Sequence, residues 1–232
     1  MENTIQKKRK FNLKLRYLGI SLFFLFNKYF VLPLFRLIFI KRIEGEANIP
    51  KDTNFIVAAN HIDALDHWMI LYSLRDKIVQ IRFLGKIEGL LAKKIFLKSF
   101  FFLSGTVSLN LKSRDREKNI SKLIDLLNDG KIIIIYPEGD TNAKDALLRG
   151  KTGVAELSLE SGLPVLPFGY LMGKRRVIKI GKPMFFQKEK ERYEIFKKNL
   201  NENSENYYLL LRKMTDKIMR EISKLCNKSY QY

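Results

Sequence analysis

Apolar and polar positions change rhythm several times along the chain, and each rhythm predicts an element. Residues 55–59 (Phe-Ile-Val-Ala-Ala) form an unbroken apolar run, the signature of a buried strand. Residues 64–74 read as a helix with Leu65, Trp68, Met69, Leu71 and Tyr72 on its apolar side. Residues 81–84 predict a strand, and residues 90–102, apolar but carrying Lys93, Lys94 and Lys98, a helix near a membrane face. A short strand at 106–109 precedes an amphipathic helix over 112–128, whose stripe is Ile120, Leu123, Ile124 and Leu127. The clearest strand covers 131–136, where four consecutive isoleucines imply burial on both sheet faces. A helix over 150–161 and strands over 165–170 and 177–180 come next. Beyond Lys188 the chain turns polar, with a final helix expected over 205–225 and Ser204 as its cap. This alternation predicts an α/β fold, a layered and mostly parallel sheet flanked by helices.

The first 42 residues have a different pattern. Dense large apolar residues, from Tyr17 to Phe26 and again from Tyr29 to Ile40, are flanked and interrupted by cations. The segment holds ten Lys and Arg against one acid, Glu2. Its longest uncharged run, residues 17–27, is shorter than the roughly 20 residues a membrane span needs, and Lys28, Pro33 and Arg36 interrupt the second apolar stretch. The pattern predicts an N-terminal membrane-associated helical pair lying in the interface, with Lys and Arg on anionic headgroups and Phe and Leu in the acyl region. A long helix packed on the domain is the alternative. No small-residue cleavage site comes after the apolar core, which argues against a signal peptide. The expected domains are 1–42 as this membrane-interface segment, 43–190 as the catalytic domain and 191–232 as its C-terminal helical extension.

Whole-chain composition adds less. The net charge of +19 implies an anionic partner or a biased genome, and does not choose between nucleic acid, membrane and phosphorylated substrate. One cysteine, Cys226, allows no internal disulfide and fits a reducing compartment. Two histidines and one cysteine give no recognisable zinc constellation, so no metal or cofactor is expected.

Two stretches carry candidate chemistry. His61 comes just after the first predicted strand and Asp66 five residues later, in Asn60-His61-Ile62-Asp63-Ala64-Leu65-Asp66. A carboxylate there can hold one ring nitrogen protonated while the other accepts a proton from a hydroxyl, which makes His61 a candidate general base. A surface histidine beside a helix-start aspartate is the plainer alternative. Asp63 is expected to point elsewhere, and His67 to be structural or solvent-facing. The second stretch, Pro137-Glu138-Gly139-Asp140-Thr141-Asn142, succeeds the strongest strand, where α/β sheets place their chemistry; a tight turn with an exposed Glu is the alternative.

In order, His61-x-x-x-x-Asp66, Gly105 before a short strand, Tyr136-Pro137-Glu138-Gly139 and Leu163-Pro164-Val165-Leu166-Pro167 resemble the glycerolipid acyltransferases. Residues 149–155 are also similar to the segment joining that family's last two motifs, and the resemblance covers about 43–180. It implies acyl transfer from a thioester, either acyl-CoA or acyl carrier protein, to a lysophospholipid hydroxyl, of which 1-acylglycerol 3-phosphate is the expected acceptor. His61 would be the base, Asp66 its orienting partner, and Glu138 and Gly139 would help position the acceptor. It also implies attachment through 1–42, monotopic or peripheral, at the cytoplasmic face of the cell membrane.

Two departures bear on the acceptor. Asp140-Thr141 stand where the family has Thr-Arg, and Asn110-Leu111 where it has Asp or Asn followed by Arg. Lys112, Arg114, Arg149 and Lys151 are candidate substitutes for those phosphate-binding arginines, unless the acceptor lacks a phosphate monoester. Gly150-Lys151-Thr152 is no P-loop, because position 145 is Asp, and no serine sits in a nucleophile-elbow frame. A non-catalytic basic membrane- or nucleic-acid-binding protein would explain the charge. It would not explain why the cations crowd into the most aromatic stretch, so nucleic acid is not expected as a partner.

Overall fold

In this computed structural model, residues 18–85, 106–108, 116–198 and 200–232 are described. The helix expected over 90–102, and Lys112 and Arg114, lie outside them.

The described chain opens with helix α1 (Leu18–Phe39) and runs directly into strand β1 (Ile40–Glu44). Strand β2 (Ile56–Ala59) leads to helix α2 (Leu65–Ser73), and a 3-10 turn to β3 (Ile81–Gly85). Then come β4 (Val107–Ser108), α3 (Arg116–Asn128), β5 (Ile132–Ile135) and α4 (Gly153–Ser161). The hairpin β6 (Val165–Leu171) and β7 (Arg176–Ile180) precedes α5 (Gln187–Lys198) and α6 (Leu200–Cys226).

The strands form one sheet in the order β1-β7-β6-β2-β5-β3-β4. Between the named strands antiparallel pairing is confined to the β6–β7 hairpin and the other pairings are parallel, while an isolated antiparallel bridge joins Val165 to Met184. Successive side chains on a strand face opposite ways, so the central strands feed two cores. Val57, Ala59, Ile132, Ile134, Leu166 and Phe168 pack beneath α1 and α2. Ile56, Ala58, Ile133 and Val165 pack on the other face, against Leu123, Leu127, Val154, Met214 and Ile218. Each buried isoleucine of β5 contributes about 1.5–3 kcal/mol relative to exposure, which outweighs any local helical preference of the run.

Three expectations are corrected. The N-terminal apolar stretch, expected as a helical pair, is one continuous helix from Leu18 to Phe39 within the described residues. A π-turn over Asn27–Val31 precedes the proline, and the Leu32 N–H bonds to the Asn27 carbonyl five residues back. The widened turn accommodates a residue that lacks an N–H, and the helix runs on. Residues 40–42, expected in the membrane segment, are the start of edge strand β1, paired with β7. The C-terminal helix begins at Leu200, so Ser204 lies inside it rather than capping it, and α5 before it was not anticipated. On α6, Leu211, Met214, Thr215, Ile218 and Ile222 recur at helical spacing and are buried. Its close approach to β6 needs Gly169, where a Cβ would sit 2.4 Å from the Leu225 Cβ.

Candidate active site

Asn60 follows β2 directly and is almost fully buried. Its side chain accepts the Tyr170 N–H at 2.8 Å and donates to the Tyr170 carbonyl at 3.3 Å. The amide continues the sheet pairing for one more residue and fixes where His61 leaves the sheet. The His61 ring then meets Asp66 in the first turn of α2, Nδ1 to Oδ2, at 2.9 Å. Asp66 is wholly buried, and the same Oδ2 accepts the N–H groups of Ile62 and Asp63. It accepts the Nδ1 proton of His61 and leaves Nε2 as the ring's free acceptor.

The parallel register sets Ala58 beside Ile135, so the turns after β2 and β5 emerge together at one sheet edge. Tyr136 stacks on His61, with centroids 4.0 Å apart and planes 13° off parallel. Glu138 is 3% exposed and both its oxygens are engaged inside the protein. Oε1 accepts the His61 N–H at 3.3 Å; Oε2 accepts from Asn142 Nδ2 at 2.7 Å and from the Leu148 N–H at 2.9 Å. Glu138 therefore binds the two turns to each other and does not line the cleft, contrary to its expected contact with the acceptor. The Asn142 N–H returns to the His61 carbonyl at 2.6 Å, and buried Lys228 donates to the Asn142 carbonyl at 2.8 Å. The C-terminal tail thus braces the site, a role the sequence did not signal.

Gly139 has φ of +73°, and a Cβ there would lie 2.3 Å from the Lys151 Nζ. Only glycine meets both conditions without strain. His61, His67, Tyr136, Gly139, Asp140, Thr141 and Lys151 are among the residues lining a cleft of about 440 Å³. Arg149 does not line it; its guanidinium lies over the Tyr232 ring at 5.8 Å. Among the described residues no three His, Cys, Asp or Glu side chains gather as a metal site.

Two placements differ from expectation. His67 faces the cleft, its ring 5.6 Å from that of His61 and 4.7 Å from that of Phe83. Burial, reinforced by the neighbouring His61, lowers its pKa from 6.5 to about 4, so it stays neutral. Asp63 points into the site and not away: it accepts the Leu65 N–H at 2.8 Å and pairs with Arg176. Partial burial pushes its carboxyl up, but the Arg176 hydrogen bond, the Leu65 N–H and the guanidinium charge together bring the net shift down. Arg176 also reaches Asp66 Oδ1 at 3.0 Å. In sequence it is one of three consecutive cations before a short strand, indistinguishable from surface charge.

The general acyltransferase family model matches residues 41–171, more than half of the chain, and that span contains both turns. The chain belongs to the acyltransferase family. Among the family's curated members it is 29% identical, over 126 residues, to a 1-acyl-sn-glycerol-3-phosphate acyltransferase of Borreliella burgdorferi, covering 54% of this chain and 48% of that one. A second 1-acyl-sn-glycerol-3-phosphate acyltransferase, from Chlamydomonas reinhardtii, is 30% identical over 143 residues, 60% of this chain and 41% of its own. The chain spans about half the length, or less, of the curated relatives it matches. The fold is also that of the crystallised 1-acyl-sn-glycerophosphate acyltransferase of Thermotoga maritima, with a TM-score of 0.56 and 22% identity, over 94% of this chain and 98% of that one.

Proposed function

We propose that this acyltransferase-family chain moves a fatty acyl group from a thioester, acyl-CoA or acyl carrier protein, to the free hydroxyl of 1-acylglycerol 3-phosphate, giving phosphatidic acid. The observation that carries the reading is the Nδ1–Oδ2 pairing of His61 with buried Asp66 at a cleft also lined by Gly139 and Lys151.

In this mechanism His61 Nε2 takes the proton of the acceptor hydroxyl as its oxygen attacks the thioester carbonyl. Asp66 stabilises the imidazolium that forms. The tetrahedral intermediate collapses by breaking the C–S bond, and the imidazolium returns the proton to the thiolate. No covalent acyl-enzyme and no cofactor enter. Lys151 is the cleft cation suited to the acceptor's phosphate, with Lys112 and Arg114 added on sequence grounds.

Asp140 and Thr141, where the family has Thr-Arg, favour a second reading in which the acceptor is a lysolipid without a phosphate monoester. Mass spectrometry of mixed lysolipids incubated with the full chain and either thioester tests both. Phosphatidic acid as the dominant product is expected; acylation confined to other lysolipids selects the second reading, and no acylated product removes both.

We place the chain at the cytoplasmic face of the cell membrane, bound in the plane. Helix α1 is long and apolar enough to cross a membrane by length and composition. One face, with Phe24, Leu32 and Phe35, is buried on the domain, and Lys28 pairs with Asp76 at 3.0 Å. The opposite face exposes Leu22, Phe26, Phe30, Leu34 and Leu37. A helix with one side committed to its own domain is suited to lying in the interface.

A further inference from the structure

We infer that Arg176 is a positioning residue for the His61–Asp66 pair, an assignment that deepens the acyl-transfer reading and rests on it. Arg176 opens β7 and lies beyond residues 41–171, the span that matches the family. Its side chain is 10% exposed, and its guanidinium bridges two carboxylates, Nη1 to Asp66 Oδ1 at 3.0 Å and Nη2 to Asp63 Oδ2.

The two oxygens of Asp66 divide their work. Oδ2 receives His61 Nδ1 and the Ile62 and Asp63 N–H groups, while Oδ1 receives Arg176. A wholly buried carboxylate without a cation is costly and lowers that cost by taking up a proton. Protonated, Asp66 would no longer stabilise an imidazolium. A guanidinium prevents this because it never loses its own charge and its planar fork fits two carboxylates at once. Strand geometry fixes it from behind: Ile40 of β1 is in register with Arg176, and the Arg175 guanidinium donates to the Ile40 carbonyl at 2.6 Å.

The charges facing His61 explain why one cation matters. Asp63 and Asp66 approach from the loop and α2, and the carboxylate of Glu138, on the turn after β5, accepts the His61 N–H. Neutral His67 and the half-buried Tyr136 ring flank the imidazole, and Lys151 lines the same cleft. Without Arg176 the His61–Asp66 pair sits among acids, and the pair as a unit holds a proton to higher pH. The imidazole is then protonated where it has to act as a base.

The experiment compares wild type, R176Q, which keeps hydrogen-bond donors but loses the charge, and R176K, which keeps the charge but loses the fork. Each full-length protein is assayed across pH with lysophosphatidic acid and acyl-CoA or acyl carrier protein thioester, alongside its thermal midpoint and an NMR titration of 15N-labelled histidines. For R176Q the acid limb of kcat/KM is expected to move up by about one pH unit, with the His61 resonance shifting alongside it. Its kcat is expected to fall on the order of tenfold to a hundredfold at nearly unchanged KM. R176K is expected to keep the wild-type limb and recover part of kcat. Unchanged limb and kcat in R176Q, with only the thermal midpoint lowered, overturns the assignment and leaves Arg176 a brace. If R176Q does not accumulate folded, R176K decides alone: lower kcat at unchanged KM supports the assignment, and unchanged kcat overturns it. A wild type without turnover on any lysolipid is a failure of the acyl-transfer reading instead, and the histidine titration then still reports whether Arg176 sets the protonation of the pair.

Discussion

His67 stays neutral in the folded chain because burial removes its solvation and His61 adds like-charge repulsion, bringing its pKa to about 4. In the unfolded chain the ring titrates near ~6.5. Between those values the unfolded state binds a proton that the folded state does not, so stability is full above about 6.5 and declines as pH falls toward about 4. Urea unfolding at about pH 7.5 and pH 5 is expected to show wild type losing on the order of 1–2 kcal/mol more than H67Q. Equal losses in the two proteins would contradict the burial argument. Glu138 makes a comparable case through hydrogen bonds. Its carboxylate satisfies the His61 N–H, the Leu148 N–H and the Asn142 amide in a buried turn. E138A leaves buried donors unpaired at about 1–3 kcal/mol for each group, so a lower urea midpoint is expected together with lost activity. An unchanged midpoint would mean that Glu138 serves substrate and not the turn.

At the scale of elements, α1 is the part whose surface does not suit water. Phe30 and Leu37 are 68% and 71% exposed, and neither belongs to the core. Removing about 1.5–3 kcal/mol of burial at each, F30S/L37S is expected to weaken binding to anionic vesicles by roughly a hundredfold or more at an unchanged thermal midpoint. Co-sedimentation equal to wild type would remove α1 from the membrane contact. A deletion through residue 42 is a poorer test, because it cuts into β1. The strands were legible because β2, β5 and β6 are buried on both faces and so read as apolar runs. Helix α5 was not legible: its buried surface is little more than Tyr193, too small for a stripe to form. Continuity of α1 through Pro33 depends on a π-turn, which no residue pattern in that stretch announces.

Across the whole molecule, the site is assembled from parts far apart in sequence. His61 and Asp66 announce themselves by spacing, and Tyr136 to Gly139 by their place just after the isoleucine strand. Arg176 and Lys228 do not, because a buried cation and a surface cation look alike until the sheet order is known. That order carries β7 past β6 to bring Arg176 onto α2, and the tail after α6 back to bring Lys228 beneath the turn. The fold thus gathers His61, Asp66 and a cleft at one sheet edge, the proposed base and its orienting acid, and α1 ends at that same edge, where β1 begins. The most direct measurement is turnover of labelled acyl thioester and lysophosphatidic acid by the full chain and by H61A, with thermal midpoints alongside. Turnover is expected to fall by about 10²–10⁴-fold in H61A while the midpoint stays within a few degrees. Wild-type turnover in H61A would contradict base catalysis at that imidazole.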